Sequence, residues 1–390
     1  VKVLFYSHYF APSIGGVETI ILSLAHGLAE LRAPDAHAEF ELTLVTETPA
    51  EDFDDRTLPF RVLRQPGLRL LLGAIRSSDI VHVAGPALSP LVLGLLTGRP
   101  VVIEHHGFQA ICPTGQLVIE PRNVPCPGHF MAGRHFECIR CRSDDNWLAS
   151  GKLWLLTFVR RFLCARAAAN IMPTEWLGEQ IRLPNTVSIS HGIETRAPAS
   201  GPAHSSGLPY IVFQGRIVTT KGLPVLLEAT RILRSENREF EVLVIGDGPE
   251  RPTLQDLAER LQLTSRVRFV GVLGAAELDS MIAKASVVVV PSLGGEVFGL
   301  VLAENMLRGL PIIASDLGCF VELLGNAGLT FRAGNAKELA SQIARLLDDS
   351  AFATRLGNRA RQRIFDLYPR RHMIEAHARL YRGLYTAAQS

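Results

Sequence analysis

Two carboxylates set the chemistry of this 390-residue chain, Glu296 and Glu304, in the stretch Pro291-Ser292-Leu293-Gly294-Gly295-Glu296-Val297-Phe298-Gly299-Leu300-Val301-Leu302-Ala303-Glu304. The apolar run Val287 to Val290 ends at a proline, which closes it as a strand, and two glycines then give a loop. From Gly299 the pattern has helical length and few breakers. Glu296 is therefore expected in a loop before a helix, and Glu304 inside that helix. The helix start, near Phe298, Gly299 and Leu300, would present unpaired N–H groups and a positive dipole end. That arrangement suits a phosphate, with a carboxylate on each side to hold hydroxyl groups. Taken alone, the stretch reads equally well as a loop and helix with two solvated glutamates.

A second set of groups could share such a ligand. Gly215-Arg216-Ile217-Val218-Thr219-Thr220-Lys221-Gly222 leaves a predicted strand. An Arg fork and a Lys point charge framed by glycines suit a diphosphate, although two surface cations would look the same. Gly15-Gly16-Val17-Glu18 precedes a predicted helix, where glycine allows a ligand close to the backbone. His105-His106-Gly107 follows another strand, and a histidine there can polarise or hydrogen-bond a ligand. Gly246-Asp247-Gly248-Pro249 resembles the start of a dinucleotide-binding loop, but Arg251 stands where its third glycine belongs.

The elements that must position these groups alternate. Val1–Ser7, Glu41–Thr46, Asp79–Val83 and Pro100–Glu104 read as strands, with helices over Val17–Arg32 and Leu91–Leu96. The insert 108–150 breaks the alternation. It is rich in Pro, Gly, Cys and His, and it holds Cys112, Cys126, Cys138 and Cys141. Cys138 and Cys141 have metal-knuckle spacing, so a structural zinc on the four cysteines is one expectation; free thiols or disulfides are the others. Gly151–Asn170 reads as a helix with a broad apolar surface and Lys152, Arg160, Arg161 and Arg166. It is either a core helix or one resting on anionic lipid. After linker-like residues 197–208 the alternation restarts at Tyr210–Gln214 and continues through Val287–Val290. This is an α/β pattern of parallel sheets covered by helices, which bind ligands at strand carboxyl ends.

Composition narrows the classes. A chain that is 47% hydrophobic and 20% charged is a packed globular protein, and its length allows two domains. A formal net charge of +2 gives no case for a nucleic-acid partner. Basic residues gather in apolar surroundings at 61–76 and 152–166. No apolar run is long enough to span a bilayer, and the chain begins at once with a strand. A cytoplasmic location is expected.

Taken together and in order, Gly15-Gly16-Val17-Glu18, His106, Gly215-Arg216, Lys221-Gly222, Gly246-Asp247-Gly248-Pro249, Glu296 to Glu304 and Gly309-Leu310-Pro311-Ile312-Ile313-Ala314-Ser315 resemble the retaining GT-B nucleotide-sugar glycosyltransferases of glycosyltransferase family 4. The resemblance covers nearly the whole chain. It implies two Rossmann-like domains facing across a cleft: 1–196, with the insert 108–150, on the acceptor side, and 209–370 on the donor side. Residues 371–390 would form a helix returning to the first domain. It implies that Arg216 and Lys221 hold the donor diphosphate, that Gly16 approaches it from the other domain, and that Glu304 binds ribose. The loop around Val272 would contact the base, a uracil or guanine. Glu296 and the backbone at Phe298, Gly299 and Leu300 would hold sugar and phosphate, with Glu296 and His106 as the catalytic pair. The sequence departs from the family pattern at Gly318-Cys319-Phe320-Val321-Glu322 and at Asn305.

The expected activity is metal-independent, retaining transfer of a hexosyl group from a nucleoside-diphosphate sugar to a glycan or lipid-linked acceptor, in cell-surface polysaccharide or glycolipid synthesis. The basic, apolar helices imply peripheral contact with an anionic membrane, at the inner face of the cell membrane. A nucleotide-sugar epimerase of the same architecture and a non-catalytic sugar-nucleotide-binding protein are the alternatives.

Overall fold

The structure is a computed structural model that describes residues 1–13, 15–33, 37–142, 146–194 and 207–389. Most of the expected linker, 197–208, lies outside the described residues.

The first half is built on β1 (Lys2–Ser7), β2 (Glu41–Thr46), β3 (Arg61–Arg64), β4 (Ile80–Ala84), β5 (Val101–Glu104), the short hairpin β6 (Val118–Ile119) and β7 (Val124–Pro125), β8 (Ala169–Met172) and β9 (Thr186–Ser188). Apart from the hairpin these form one parallel sheet, ordered β3-β2-β1-β4-β5-β8-β9. The second half holds β10 (Tyr210–Gln214), β11 (Glu241–Ile245), β12 (Val267–Gly271), β13 (Ala285–Val290), β14 (Ile312–Ser315) and β15 (Leu329–Phe331). They form a second parallel sheet, ordered β12-β11-β10-β13-β14-β15.

Helices of the first half are α1 (Gly16–Glu30), α2 (Leu68–Ser77), α3 (Leu88–Leu96), α4 (His135–Ile139), α5 (Trp147–Cys164) and α6 (Glu175–Ile181). The second half adds α7 (Leu223–Ser235), α8 (Arg251–Arg260), α9 (Ala275–Ile282), α10 (Leu300–Leu307), α11 (Gly318–Leu324), α12 (Ala336–Asp348), α13 (Ser350–Leu367) and α14 (Arg370–Gln389).

Strands covered on both faces need apolar residues at every position, and side-chain alternation splits them between two cores. In β1, Leu4 and Tyr6 enter one core while Val3 and Phe5 enter the other. In β10, Ile211 and Phe213 face one core and Val212 the other. In both sheets the strand order reverses beside the first strand, between β1 and β4 and between β10 and β13. The loops leaving such neighbours in opposite directions open a crevice at their carboxyl ends.

The chain returns to the first domain through α14. Its Met373, Ile374, Ala378 and Tyr381 join the core formed by β1 and α1. Gly27 admits this packing, because a Cβ there would lie 2.0 Å from Ile374 Cδ1. The return runs beside the outgoing chain: Ile193 N–H donates to Tyr368 O at 2.8 Å and Arg370 N–H to Ile193 O at 2.9 Å.

Two expectations are corrected. The helix expected over Gly151–Asn170 is α5, which ends at Cys164, and Asn170 sits in β8. Asn170 is drawn off the helix because its Nδ2 donates to the carbonyls of Cys164 and Pro184. Nor is α5 a core helix. Trp147, Leu148, Leu155, Phe158, Val159 and Phe162 are exposed, and only Ser150, Thr157 and Cys164 are buried. The basic stretch 61–76, for which sequence reading assigned no element, contains β3 and α2.

Candidate active site

The two loops richest in chemistry leave β10 and β13, the adjacent strands at the order reversal of the second sheet. Their backbones approach too closely for side chains. A Cβ on Gly222 would lie 2.0 Å from Pro291 O, and Leu293 N–H donates to Thr220 O at 2.7 Å. The Gly246-Asp247-Gly248-Pro249 loop serves the same packing. A Cβ on Gly246 would meet Gly215 O at 2.0 Å, and one on Gly248 would meet Ile217 O at 2.3 Å. Its glycines support the Arg216 loop, which accounts for their presence without a dinucleotide fingerprint.

This zipping brings Lys221 to Glu296, with Nζ donating to Oε1 at 2.6 Å. Ser292 Oγ donates to the same carboxylate oxygen at 2.9 Å, and Ser315 Oγ holds the Ser292 carbonyl at 2.6 Å. Arg216 is exposed on its loop, as is Val272 just beyond β12. Helix α10 starts at Leu300. Its N-cap, Gly299, has φ +100, and a Cβ there would lie 2.6 Å from the Phe320 ring. No side chain caps this end, so its N–H groups are open to an anion. Glu304 lies one turn on, and burial pushes its carboxyl up, with Arg308 partly offsetting this. Asn305 is buried, and its amide bridges Gln214 Oε1 and Val301 O at 2.8 Å each. That role gives the position a reason to be polar.

The first domain faces this helix end. A Cβ on Gly16 would lie 3.2 Å from Leu300 Cδ1, so the starts of α1 and α10 confront each other. Glu322 makes another crossing contact, since its carboxylate accepts from the N–H groups of Glu175 and Trp176 at 2.9 and 2.8 Å. The segment that departs from the family pattern therefore helps join the domains.

The paired histidines divide their work. His105 turns to Asn170, with its Nε2 meeting Asn170 Oδ1 at 3.0 Å. Because the Asn170 amide nitrogen already donates to two carbonyls, Oδ1 must accept and His105 Nε2 carries the proton. His106 instead stacks on His191 with ring centroids 5.2 Å apart, and His191 packs on Phe298 at 5.1 Å.

Beneath His106 lies a group that sequence reading missed. Glu104 is fully buried, and four imidazoles converge on it. Its Oε2 lies 3.2 Å from His82 Nε2, 3.6 Å from His106 Nε2 and 3.8 Å from His377 Nε2, while Oε1 lies 3.3 Å from His191 Nε2. Around it, Tyr381 Oη meets His82 Nδ1 at 2.8 Å, and His377 Nδ1–H donates to Met373 O at 2.8 Å. Burial alone would push the Glu104 carboxyl up; His106, with His191 and His377, outweighs it and holds Glu104 well below its usual range. Burial lowers His82 and His191, against the pull of Glu104. His82, Glu104 and His377, and likewise Glu104, His106 and His191, bring donor atoms within 4.8 Å of one another, so either set could hold a metal ion. The members come from β4, β5, the segment at 191 and α14. The hub therefore pins the returning helix beneath the cleft.

Burial lowers the His105 pKa from 6.5 to about 4. The unfolded ring then binds a proton before the folded one does. Stability from the neutral ring is complete above pH 6.5 and is lost as pH falls towards 4. Roughly 2 kcal/mol should be gone by about pH 5. Urea midpoints at about pH 7.5 and 5 are expected to differ less in His105→Gln than in the unaltered protein. An equal pH response in both would contradict this.

The four insert cysteines also converge, since all of them line one small cavity. None of the six cysteines in the chain is in a disulfide.

Residues 200–363 match the family model described as "Glycosyl transferases group 1". Alpha-D-kanosaminyltransferase of Streptomyces kanamyceticus is 32% identical over 154 residues, which are 39% of this chain and 40% of that protein. Glycogen synthase of Mycobacterium tuberculosis is 28% identical over 73% of this chain and 69% of its own length. Phosphatidyl-myo-inositol mannosyltransferase of Mycolicibacterium smegmatis is 30% identical over 52% of this chain and 53% of its own. Among solved structures, sucrose-phosphate synthase from Thermosynechococcus elongatus superposes with a TM-score of 0.75 at 20% identity, covering 99% of both chains. Anabaena HepE in complex with UDP-glucose superposes at 0.71 with 17% identity, covering 98% of this chain and 99% of its own. The fold is thus GT-B throughout, and the second half of the chain is similar to the glycosyl transferases group 1 family.

Proposed function

We propose that the protein is a retaining glycosyltransferase of family 4, moving a hexosyl group from a uridine or guanosine diphosphate sugar to a glycan or lipid-linked acceptor. One observation carries this reading: Lys221 and Glu296 meet at 2.6 Å beside the uncapped start of α10, on loops from the two strands at the order reversal. The pair joins a cation for phosphate to a carboxylate for sugar hydroxyls in one place.

In this mechanism Arg216, Lys221 and the N–H groups of α10 take up the charge that develops on the departing diphosphate, so the chemical step calls for no metal. Glu304 grips the ribose, the loop at Val272 meets the base, and Glu296 holds the sugar hydroxyls. No side chain is assigned as a covalent nucleophile. The leaving phosphate oxygen takes the acceptor's proton as the new bond forms on the face it vacates. His106 contacts the sugar from the first domain, held by its stack on His191. A cavity of about 370 Å³ lined by His8, Tyr9, Ser13, Glu47 and Thr48 supports a hydroxyl-rich acceptor on the same domain.

A lipid-linked acceptor is supported by the outer face of α2, α3 and α5. None of these helices contains an Asp or Glu. Leu68, Leu70, Val92, Leu96, Leu155 and Phe162 are exposed among Arg69, Arg76, Lys152 and Arg166. Among the described residues no helix is long and apolar enough to cross a membrane. Such a face suits shallow seating on anionic lipid. The protein is expected to sediment with phosphatidylserine-containing vesicles at low salt and to be released at high salt. Failure to sediment at low salt would remove the lipid surface from the account.

The test of the whole reading is a panel of nucleotide sugars, scored for thermal stabilisation and slow hydrolysis. One of them should raise the melting temperature and release a nucleoside diphosphate. Accumulation of an altered sugar nucleotide without acceptor would instead support an epimerase.

A further inference from the structure

The cysteine-bearing insert is not used by the glycosyl-transfer reading, yet it touches the most important loop in the molecule. It leaves the sheet after β5, just beyond His106. Its own regular structure is a hairpin of two-residue strands, β6 and β7, and the short α4. It joins the first domain's core only through a few side chains, Ile111, Cys112, Phe130 and Cys138 among them.

Cys112 ends a turn, with its N–H donating to Phe108 O at 2.7 Å; Cys126 follows β7; Cys138 lies in α4 and Cys141 just past it. Their side chains line a single cavity of about 10 Å³, room for one ion, walled by Ile111, Leu117 and Phe130. The Cys126 sulfur is approached by the backbone N–H groups of His129 and Gly128. Four free thiols lining one cavity fit a single tetrahedral ion better than two separate disulfides.

The insert then reaches across the cleft. Cys126 N–H donates to Leu117 O at 2.7 Å, and the preceding residue, Gln116, accepts from Gly295 N–H at 2.6 Å. Gly294 is clasped as well: a Cβ there would lie 2.5 Å from Val118 Cγ2 and 2.7 Å from Gln116 O. The insert is therefore bonded, backbone to backbone, to the residue beside Glu296.

We propose that Cys112, Cys126, Cys138 and Cys141 bind one zinc ion as thiolates, and that the metal-held insert acts as a brace fixing the Gly294–Glu296 loop. Binding forms four metal–sulfur bonds and releases the thiol protons to solvent. Glu296 itself is untouched by the metal; the insert positions the loop that carries it. His129 lines the same cavity but lies outside the four-thiolate set.

The proposal stands or falls without any transfer assay. Full-length protein purified without added metal should contain about one zinc per chain by elemental analysis. Titration with a mercurial thiol reagent should release that zinc to a chromogenic indicator as four thiols react. Zinc below about 0.1 per chain would overturn the site, as would a thiol count in unreduced, denatured protein of two rather than six. For the brace, hydrogen exchange at Gly295 should be at least tenfold faster after zinc is stripped with chelator, while amides of β10 stay protected. Gly294→Ala should speed Gly295 exchange in the same way while retaining zinc, which separates the brace from loss of folding. Unchanged exchange at Gly295 in both preparations would overturn the brace.

Discussion

Glu296→Ala is expected to lower the rate of sugar transfer by at least about 100-fold, with the donor's KM changed by less than about threefold. The carboxylate sits between Lys221 Nζ and Ser292 Oγ, and its side chain is only 13% exposed. Its loop is fixed from three sides, by Thr220, Gln116 and the Ser315–Ser292 contact. Removing the carboxylate therefore leaves the loop in place and takes away the group that orients the sugar. Lys221, with no counter-charge, remains available to the diphosphate, so binding persists while the chemical step slows. The Lys221 contact is partly solvated, and its loss should change stability by no more than about 1 kcal/mol. Turnover near that of the unaltered enzyme would sink the role given to Glu296.

The second large effect is on folding. Glu104→Gln is expected to destabilise the protein by about 3–5 kcal/mol, read from the urea midpoint. Four imidazole nitrogens at 3.2 to 3.8 Å have this one carboxylate as their common partner. The amide carries no charge to set against the imidazoles, and water cannot reach the site to replace what is lost. Because His377 belongs to α14, the effect should include loosening of that helix from the first domain. Arg382→Ala provides the contrast. It breaks the Arg382–Glu39 contact on the same helix, but Arg382 is half exposed, and a loss of no more than about 1 kcal/mol is expected. A Glu104→Gln variant within about 1 kcal/mol of the parent would show that the hub is not a keystone.

What could be read from the sequence follows from how far apart the partners are. The loops at 215–222 and 291–304 were legible because each packs glycine, charge and a strand end into one contiguous stretch. Their relation to each other was also legible, since both follow strands of the same domain. The hub around Glu104 was not. Its histidines stand at 82, 106, 191 and 377, and singly each reads as an ordinary packed ring. The first sheet gathers three of them and the return of α14 brings the fourth. Adjacent His105 and His106 could not be told apart by type; opposite faces of the chain at the end of β5 separate them, one to Asn170 and one to His191. Helix α5 misled in a different way. Its apolar residues resemble a core face, but burial depends on what covers a helix, and its exposed Leu155 and Phe162 have no covering element. Neither could spacing reveal that residues 116–118 would lie against Gly294 and Gly295, a contact between segments of different domains.

The central claim is that the cleft is a nucleoside-diphosphate-sugar site, and calorimetric titration tests it most directly. The donor that emerges from the nucleotide-sugar panel would be titrated into the parent protein and into the Arg216→Ala/Lys221→Ala double variant. Each lost charge-assisted contact is worth about 1.5–3 kcal/mol, so affinity should fall at least 100-fold in the variant. Equal affinity in the two proteins, or no binding by any nucleotide sugar to the parent, would contradict the account.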